Sequence, residues 1–148
     1  MGSRADMAAE IFDKGFNCAQ AVFSSHSAEY GVDATTAKKI AGAFGGGMAY
    51  NGEVCGAVTG AFMLIGLKYG KCKEGDDEAK AKTYKLTNDF IEKFTKEFGC
   101  IRCKDLLKYN LSNEQEYSKA KESGLFKAFC PLFVKRAVEL TEELLEIV

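Results

Sequence analysis

The sequence is poor in several residues and patterns that mark common classes of protein. Its 148 residues include one proline and one histidine, and no sustained stretch alternates apolar and polar residues, which argues against a β-sheet. A single histidine without spaced carboxylates beside it gives little support to a Ser/His/Asp site or to a hydrolase. The formal net charge of −1 provides no overall field toward nucleic acid or an anionic membrane. We therefore expect no nucleic-acid partner.

Long hydrophobic runs are also missing. The longest uncharged run, residues 54–67, contains 14 residues, whereas a membrane-spanning helix needs about 20. This run is interpreted as a buried helix rather than a membrane span. Residues 1–6 lead into a polar segment without an apolar stretch, so no secretory signal is expected. These absences predict a cytoplasmic location, where thiols stay reduced and structural disulfides are rare.

What the chain does contain is helical periodicity. Apolar residues recur at helical spacing in successive segments, and capping residues stand at several of their starts. The first three predicted helices begin near Met7, after the cap Asn17 and after the cap Asp33. The fourth covers 52–69, and the fifth runs from Asp76 or Asp77 to Gly99. A short helix over 103–109 follows, then one that begins at 112–115 and ends near Gly124, and a last one that begins at Pro131. Because short loops join them, each helix must bury its apolar face against the others. The prediction is an all-α, single-domain helical bundle of about six to seven helices over residues 1–148.

The six cysteines carry the clearest chemical signal. Four of them are predicted at or beside helix N-termini: Cys18 after the Asn17 cap, Cys55 in the first turn of the helix over 52–69, Cys103 at the start of the short helix, and Cys130 before Pro131. Unpaired N–H groups and the helix dipole favour the thiolate there, which is the reactive and metal-binding form. We expect at least one of the four to have a pKa below its ordinary value. We also expect the four to converge at one end of the bundle, with Cys18 and Cys55 as neighbours.

Other features carry weaker signals. Inert cysteines buried in the core are the main alternative interpretation, because free cysteine is often buried. Cys100 and Cys103 form one C-x-x-C, which alone gives weak support for zinc, and Lys104 stands where haem attachment normally requires histidine. Cys72 lies in a charged loop and is interpreted as incidental. His26 is expected to face solvent or to be hydrogen-bonded rather than to bind a metal.

Two groups of glycines are predicted near Cys55. Gly45–Gly47 match no nucleotide-binding pattern and predict a tight turn that brings backbone close to Cys55. Gly56 and Gly60, four residues apart, predict a close helix–helix contact and room for a cofactor beside Cys55.

Five motifs in order make the chain resemble a known family. They are Asn17-Cys18-Ala19-Gln20-Ala21-Val22, Phe44-Gly45-Gly46-Gly47-Met48, Cys55-Gly56-Ala57-Val58-Thr59-Gly60-Ala61, Cys103-Lys104-Asp105-Leu106-Leu107 and Cys130-Pro131. Over nearly its whole length the chain resembles the C-GCAxxG-C-C family of redox-active proteins, found mainly in bacteria and archaea. The four cysteines that name the family correspond to the four already singled out, and Cys72 and Cys100 have no counterpart. The resemblance implies a prokaryotic redox protein.

A similar module occurs in split-Soret cytochromes, where haem and an iron–sulfur centre are associated with the protein. Because this chain lacks C-x-x-C-H, only the iron–sulfur part of that resemblance carries over. The preferred hypothesis is a redox-active protein, a thiol-based or iron–sulfur oxidoreductase. It uses Cys18, Cys55, Cys103 and Cys130 as redox thiols or as ligands to an iron–sulfur cluster, with Gly56 beside them.

Two other classes of function stay open. One is a non-catalytic module in which the same four cysteines bind zinc, and the other is a structural or interaction domain with inert core cysteines. We expect an unidentified redox partner protein, leave a homodimer open, and expect the apolar helix faces to suffice for folding without metal.

Overall fold

The computed structural model describes residues 3–147. Met1, Gly2 and Val148 lie outside the described residues, so the predictions of one domain over 1–148 and of no secretory signal over 1–6 extend beyond them. Within that range the chain forms eight α-helices of five residues or more: α1 (Arg4–Asp13), α2 (Cys18–His26), α3 (Ala34–Ile40), α4 (Gly56–Tyr69), α5 (Asp77–Phe98), α6 (Cys103–Leu107), α7 (Glu114–Glu122) and α8 (Leu125–Leu144). A 3-10 helix, Ser27–Tyr30, follows α2. The described part of the chain has no β-strand beyond one isolated bridge. The predicted all-α fold is confirmed, with one or two helices more than expected.

Side-chain caps fix where most helices begin. Asn17 and Gln20 form a reciprocal capping box at α2, and Asp33, Asp76 and Asn113 each accept a backbone N–H at the start of their helices. These caps satisfy N–H groups that have no partner inside a helix. Their sequence signal is local, and the structure confirms the caps at Asn17, Asp33 and Asp76, whereas the cap of α7 is Asn113, one residue later than the capping box predicted over 112–115.

The prediction that the last helix starts at Pro131 is wrong. The helix begins six residues earlier at Leu125, after Gly124 in left-handed conformation (φ +76°), and Pro131 lies inside it. Proline removes one backbone hydrogen bond from a helix interior. The upstream turn nevertheless remains helical because it packs Leu125 and Phe126 against the core. Cys130 is therefore inside a helix rather than at its N-terminus.

The predicted start of the helix over 52–69 is also wrong by four residues. Residues 52–55 are not helical, and Val54 pairs with Arg102 in an antiparallel bridge. Gly45–Met48 form a single turn below this pairing, with Gly46 and Gly47 at φ +65° and +67°. The hydrogen bonds of the bridge replace the first helical turn that the sequence suggested.

The core lies between the long helices. α2 packs most extensively against α4, and α8 crosses α1, α2, α4 and α5. Phe90 and Phe94 of α5, Leu64 of α4 and Val134 of α8 are fully buried. No helix within residues 3–147 is both long enough and apolar enough to cross a membrane. The small-residue face of α4 matters most for the site, because it sets how closely α2 approaches.

Candidate functional site

One cavity of about 540 Å³ brings together the four cysteines that the sequence singled out. Cys18 reaches it from α2, Cys55 from the residue before α4, Cys103 from α6 and Cys130 from α8. All four are buried, with between 4% and 7% of each residue exposed. The structure therefore places these cysteines around a common space, as the convergence hypothesis required.

Cys18 and Cys55 meet because α2 and α4 approach each other closely. A Cβ atom at Gly56 would lie 2.9 Å from the Ala19 nitrogen and 3.2 Å from the Cys18 Cβ. Any side chain at this position would push the helices apart. With glycine there, α2 lies directly against the start of α4, which brings Cys18 and Cys55 to the same cavity.

Cys103 is brought to the cavity by the short antiparallel pairing. The Cys103 N–H donates to the Glu53 carbonyl at 2.7 Å, and the Cys55 N–H donates to the Ile101 carbonyl at 2.8 Å. In such a pairing, alternate residues point to the same side, so Cys55 and Cys103 face the same way. Gly47 makes room below them, since a Cβ there would lie 2.6 Å from the Glu53 backbone and 2.8 Å from the Cys103 Cβ. The glycine turn therefore packs closely, but against Glu53 and Cys103 rather than against Cys55 as the sequence predicted.

Cys130 reaches the cavity from a helix interior. It shares one face of α8 with Phe126 and Phe133, four residues before it and three after it, and all three line the cavity. Helical periodicity accounts for this arrangement. A helix N-terminus therefore does not favour the thiolate form of Cys130, contrary to the sequence-based expectation.

The electrostatics single out Cys55 among the four. A hydrogen bond from the Cys18 thiol lowers the pKa of Cys55 below its ordinary value, and the backbone N–H groups of Ala57 and Val58 act in the same direction. Burial opposes this effect, but hydrogen bonds to the charged form prevail. The prediction of at least one cysteine with a depressed pKa is confirmed for Cys55.

Two neighbours are held in the thiol form instead. Hydrogen bonds with Cys130 and Cys55, together with burial, raise the pKa of Cys18 well above its ordinary value. Burial, followed by the charges of Cys55 and Cys130, raises the pKa of Cys103 to about 12. Cys18 and Cys103 are each the first residue of a helix. Desolvation and like charge therefore outweigh the helix dipole at both positions.

The four thiols share a cavity but are not arranged as metal ligands. Across residues 3–147, no group of three or more His, Cys, Asp or Glu side chains is placed so that it could hold a metal ion. Four cysteines are the donor set of an iron–sulfur or zinc site. In this arrangement the donor set is present and the coordination geometry is not.

Several residues that sequence reasoning missed form the remaining wall and the mouth. Phe12, Phe16 and Phe126 contribute aromatic surface, and the exposed Tyr50 and Lys127 lie where the cavity opens. A hydrogen bond with Tyr117, and burial, raise the pKa of Tyr50 to about 12. Phe126 lies four residues before Cys130 on the same face of α8. This spacing indicates a wall residue only if the helix extends upstream of Pro131. Nothing in the local sequence marks the others.

The weaker sequence features lie outside the cavity. Cys72 is exposed and Cys100 is half-buried, and neither lines the cavity. His26 is buried, and its Nδ1 and Nε2 atoms lie 2.7 Å from Glu29 and 2.8 Å from Glu142. His26 is therefore hydrogen-bonded, as one of the two sequence alternatives required.

Comparison with known proteins identifies one similarity. A family model described as "Putative redox-active protein (C_GCAxxG_C_C)" matches residues 16–144. This range contains all four cavity cysteines and most of the chain. Comparisons with curated proteins and with solved structures gave no significant match.

Proposed function

Because the chain belongs to the C_GCAxxG_C_C family of redox-active proteins, we propose that it is a thiol–disulfide oxidoreductase in which Cys55 and Cys18 form the reactive pair. The observation that supports this proposal is that Cys18 and Cys55 line one buried cavity, where the close contact of α2 with the start of α4 at Gly56 brings them together. The pKa of Cys18 is raised and that of Cys55 is lowered. Such a pair supplies a nucleophile and a second thiol that stays protonated until it is needed.

In the first step Cys55 is the attacking nucleophile. Its thiolate attacks one sulfur of an acceptor disulfide, forms a mixed disulfide and expels the other sulfur as a thiolate. This step removes the negative charge from the Cys55 sulfur. The part of the raised pKa of Cys18 that comes from Cys55 is then lost, whereas the parts that come from Cys130 and from burial remain.

In the second step Cys18 resolves the mixed disulfide. Its thiol gives its proton to the departing thiolate, and its sulfur attacks Cys55 to form the Cys18–Cys55 disulfide. In the sum, the two protein thiols lose two electrons and two protons, and one acceptor disulfide becomes two thiols. A reducing compartment such as the cytoplasm would restore the dithiol.

Mapping the disulfide tests this function. We expect oxidation of the native protein in a thiol–disulfide buffer to link Cys18 to Cys55, as measured by mass spectrometry of peptides after thiol blocking. Cys55→Ser and Cys18→Ser should abolish the reversible two-electron couple, whereas Cys72→Ser, at an exposed cysteine outside the cavity, should leave it unchanged. A couple that survives in Cys55→Ser, or that appears only after denaturation, would contradict the assignment.

The proposal of a metal centre is less well supported by the arrangement. The four cysteines match the donor set of an iron–sulfur cluster, but their placement does not form a coordination site in the described residues. We derive no step through a metal. Iron, sulfide and zinc analysis after anaerobic purification and reconstitution tests it directly. Stoichiometric loading that is lost in Cys55→Ser would favour a metal centre over the dithiol.

A further inference from the structure

The depth of the four thiols restricts what can react with them. Each cysteine is at most 7% exposed, whereas the cavity meets the surface at its exposed lining residues, Asp13, Gly15, Gly42, Ala49, Tyr50 and Lys127. Thiol–disulfide exchange requires the attacking sulfur to reach the disulfide sulfur directly. A disulfide on the surface of a folded protein cannot enter a cavity of about 540 Å³. A small molecule can, since this volume is typical of ligand pockets, which span about 300–1,000 Å³.

The chemistry of the wall restricts the molecule further. Phe12, Phe16, Phe126 and Phe133 give the cavity an aromatic lining around the thiols. Asp13 and Lys127 are its only charged lining residues within the described chain, and both are exposed rather than deep. The wall therefore offers no buried countercharge to a charged molecule.

The polar side chains of the wall already have partners. The Asn17 carbonyl oxygen accepts from the Gln20 N–H at 2.8 Å, and its amide donates to the Gly42 carbonyl at 3.1 Å. Tyr50 is exposed, and its ring packs against the Tyr117 ring with the centroids 4.8 Å apart. A charged or strongly polar molecule would lose its hydration in the cavity without new hydrogen bonds, which is unfavourable.

We propose that the cavity is the binding site for an uncharged, apolar small-molecule disulfide that the Cys55–Cys18 pair reduces. This inference rests on the proposed function and names the class of its acceptor. The aromatic side chains hold the two organic groups of the acceptor, and the exchange follows the two steps above, releasing two small thiols. Charged disulfides and disulfides of folded proteins are excluded by the apolar wall and by the depth of the thiols.

The test compares two aromatic disulfides that differ in charge. In the Cys72→Ser/Cys100→Ser variant only the four cavity cysteines remain to react. Its single-turnover rates are measured with uncharged 2,2′-dithiodipyridine and with the dianion 5,5′-dithiobis(2-nitrobenzoate). Each rate is divided by the rate of the same reagent with N-acetylcysteine, which removes intrinsic reactivity. We expect the normalised rate to favour the uncharged reagent by at least about tenfold, because the carboxylates would be desolvated.

Two tryptophan variants locate the binding site. Leu106→Trp places a large side chain on the wall beside Cys103 and should slow the uncharged reagent by about tenfold or more, since it removes the space that the molecule needs. Leu132→Trp, at an exposed position of α8 outside the cavity, should not change the rate. Far-UV circular dichroism verifies that both variants fold. The comparison of the two reagents does not depend on either variant.

The outcomes separate this inference from the proposed function. Equal normalised rates for the neutral and dianionic reagents, or an equally fast reaction with a folded protein that carries a surface disulfide, would overturn the inference while leaving thiol–disulfide chemistry intact. Binding of the thioether di(2-pyridyl) sulfide, followed by calorimetry, reports on the cavity without any exchange. Binding of this thioether without disulfide reduction would instead support the ligand class and contradict the redox function. Failure of the thioether to bind would overturn the inference.

Discussion

At the scale of single residues, the four cavity cysteines share a location but differ in ionisation. Cys55 has a lowered pKa, whereas the pKa values of Cys18 and Cys103 are raised. In a closely packed group of thiols one negative charge suppresses the next, so that ionisation of one member is favoured at the expense of the others. Hydrogen bonds decide which thiol is ionised, and they favour Cys55.

Removing the Cys18 thiol should make Cys55 less reactive at neutral pH. In Cys18→Ala the hydrogen bond that lowers the Cys55 pKa is absent, and burial, which raises it, remains. The rise of the alkylation rate with pH should therefore move to higher pH, and the rate at neutral pH should fall by about three- to tenfold. The alkylation rate of Cys55 at each pH is measured with iodoacetamide and peptide mapping. Cys100→Ala, outside the cavity, is the control, and a profile of Cys18→Ala that matches that of the unmodified protein would contradict the assignment.

At the scale of elements, the contact between α2 and α4 sets the geometry of the reactive pair. Gly56 and Gly60 lie on the face of α4 that meets Ala19 of α2, and a Cβ at Gly60 would come within 2.9 Å of the Ala19 carbonyl oxygen. Gly66 belongs to the same helix, but a Cβ there would have no neighbour within 4 Å. Gly56 and Gly60 therefore permit the close contact between the helices, and Gly66 takes no part in it.

Gly56→Ala should separate the reactive pair as well as destabilise the fold. Overpacking typically costs about 1–3 kcal/mol, and the displaced α2 carries Cys18 away from Cys55, so formation of the Cys18–Cys55 disulfide should slow. Gly66→Ala is the matched control and should stabilise the protein by about 0.5–1 kcal/mol, because alanine is the better helix former. Urea unfolding and disulfide mapping of both variants provide the measurements. Equal stability changes in the two variants would show that the close contact at Gly56 is not required.

At the scale of the whole molecule, a cluster of polar side chains around the buried His26 links helices away from the cavity. His26, at the end of α2, contacts Glu29 through Nδ1 and Glu142 of α8 through Nε2, and Arg4 of α1 contacts Glu29 at 2.6 Å. Each ring nitrogen of His26 therefore has a carboxylate partner. Eight residues along α2, about 12 Å, separate this cluster from Cys18.

His26→Ala should lower stability without changing the thiols. It leaves Glu29 and Glu142 without their buried partner, and we expect a loss of about 2 kcal/mol, toward the low end for such pairs because both carboxylates are partly exposed. Lys85→Ala, which breaks the exposed pair with Asp89, should cost less than about 0.5 kcal/mol. Denaturant unfolding measures both, and the alkylation profile of Cys55 should be the same in each. A changed Cys55 profile in His26→Ala would show that the cluster and the cavity are coupled.

The sequence by itself determined the helical character of this protein and the identity of its four important cysteines. Helical periodicity and the caps at Asn17, Asp33, Asp76 and Asn113 depend on residues three or four positions apart, so local sequence is sufficient to specify them. The cysteine motifs are likewise readable in order along the chain. For these features the local preference and the fold agree.

Where the last helix begins, and which cysteine has the lowered pKa, depends on the packing of the whole chain. The packing of Phe126 continues α8 through Pro131, and the bridge between Val54 and Arg102 replaces the first turn expected for α4. The dipole argument treated all four cysteines alike, because it considered only the helix that each one joins. The pKa values depend instead on burial and on thiols that are distant in sequence, and these are brought together only when α2, α4, α6 and α8 pack around one cavity.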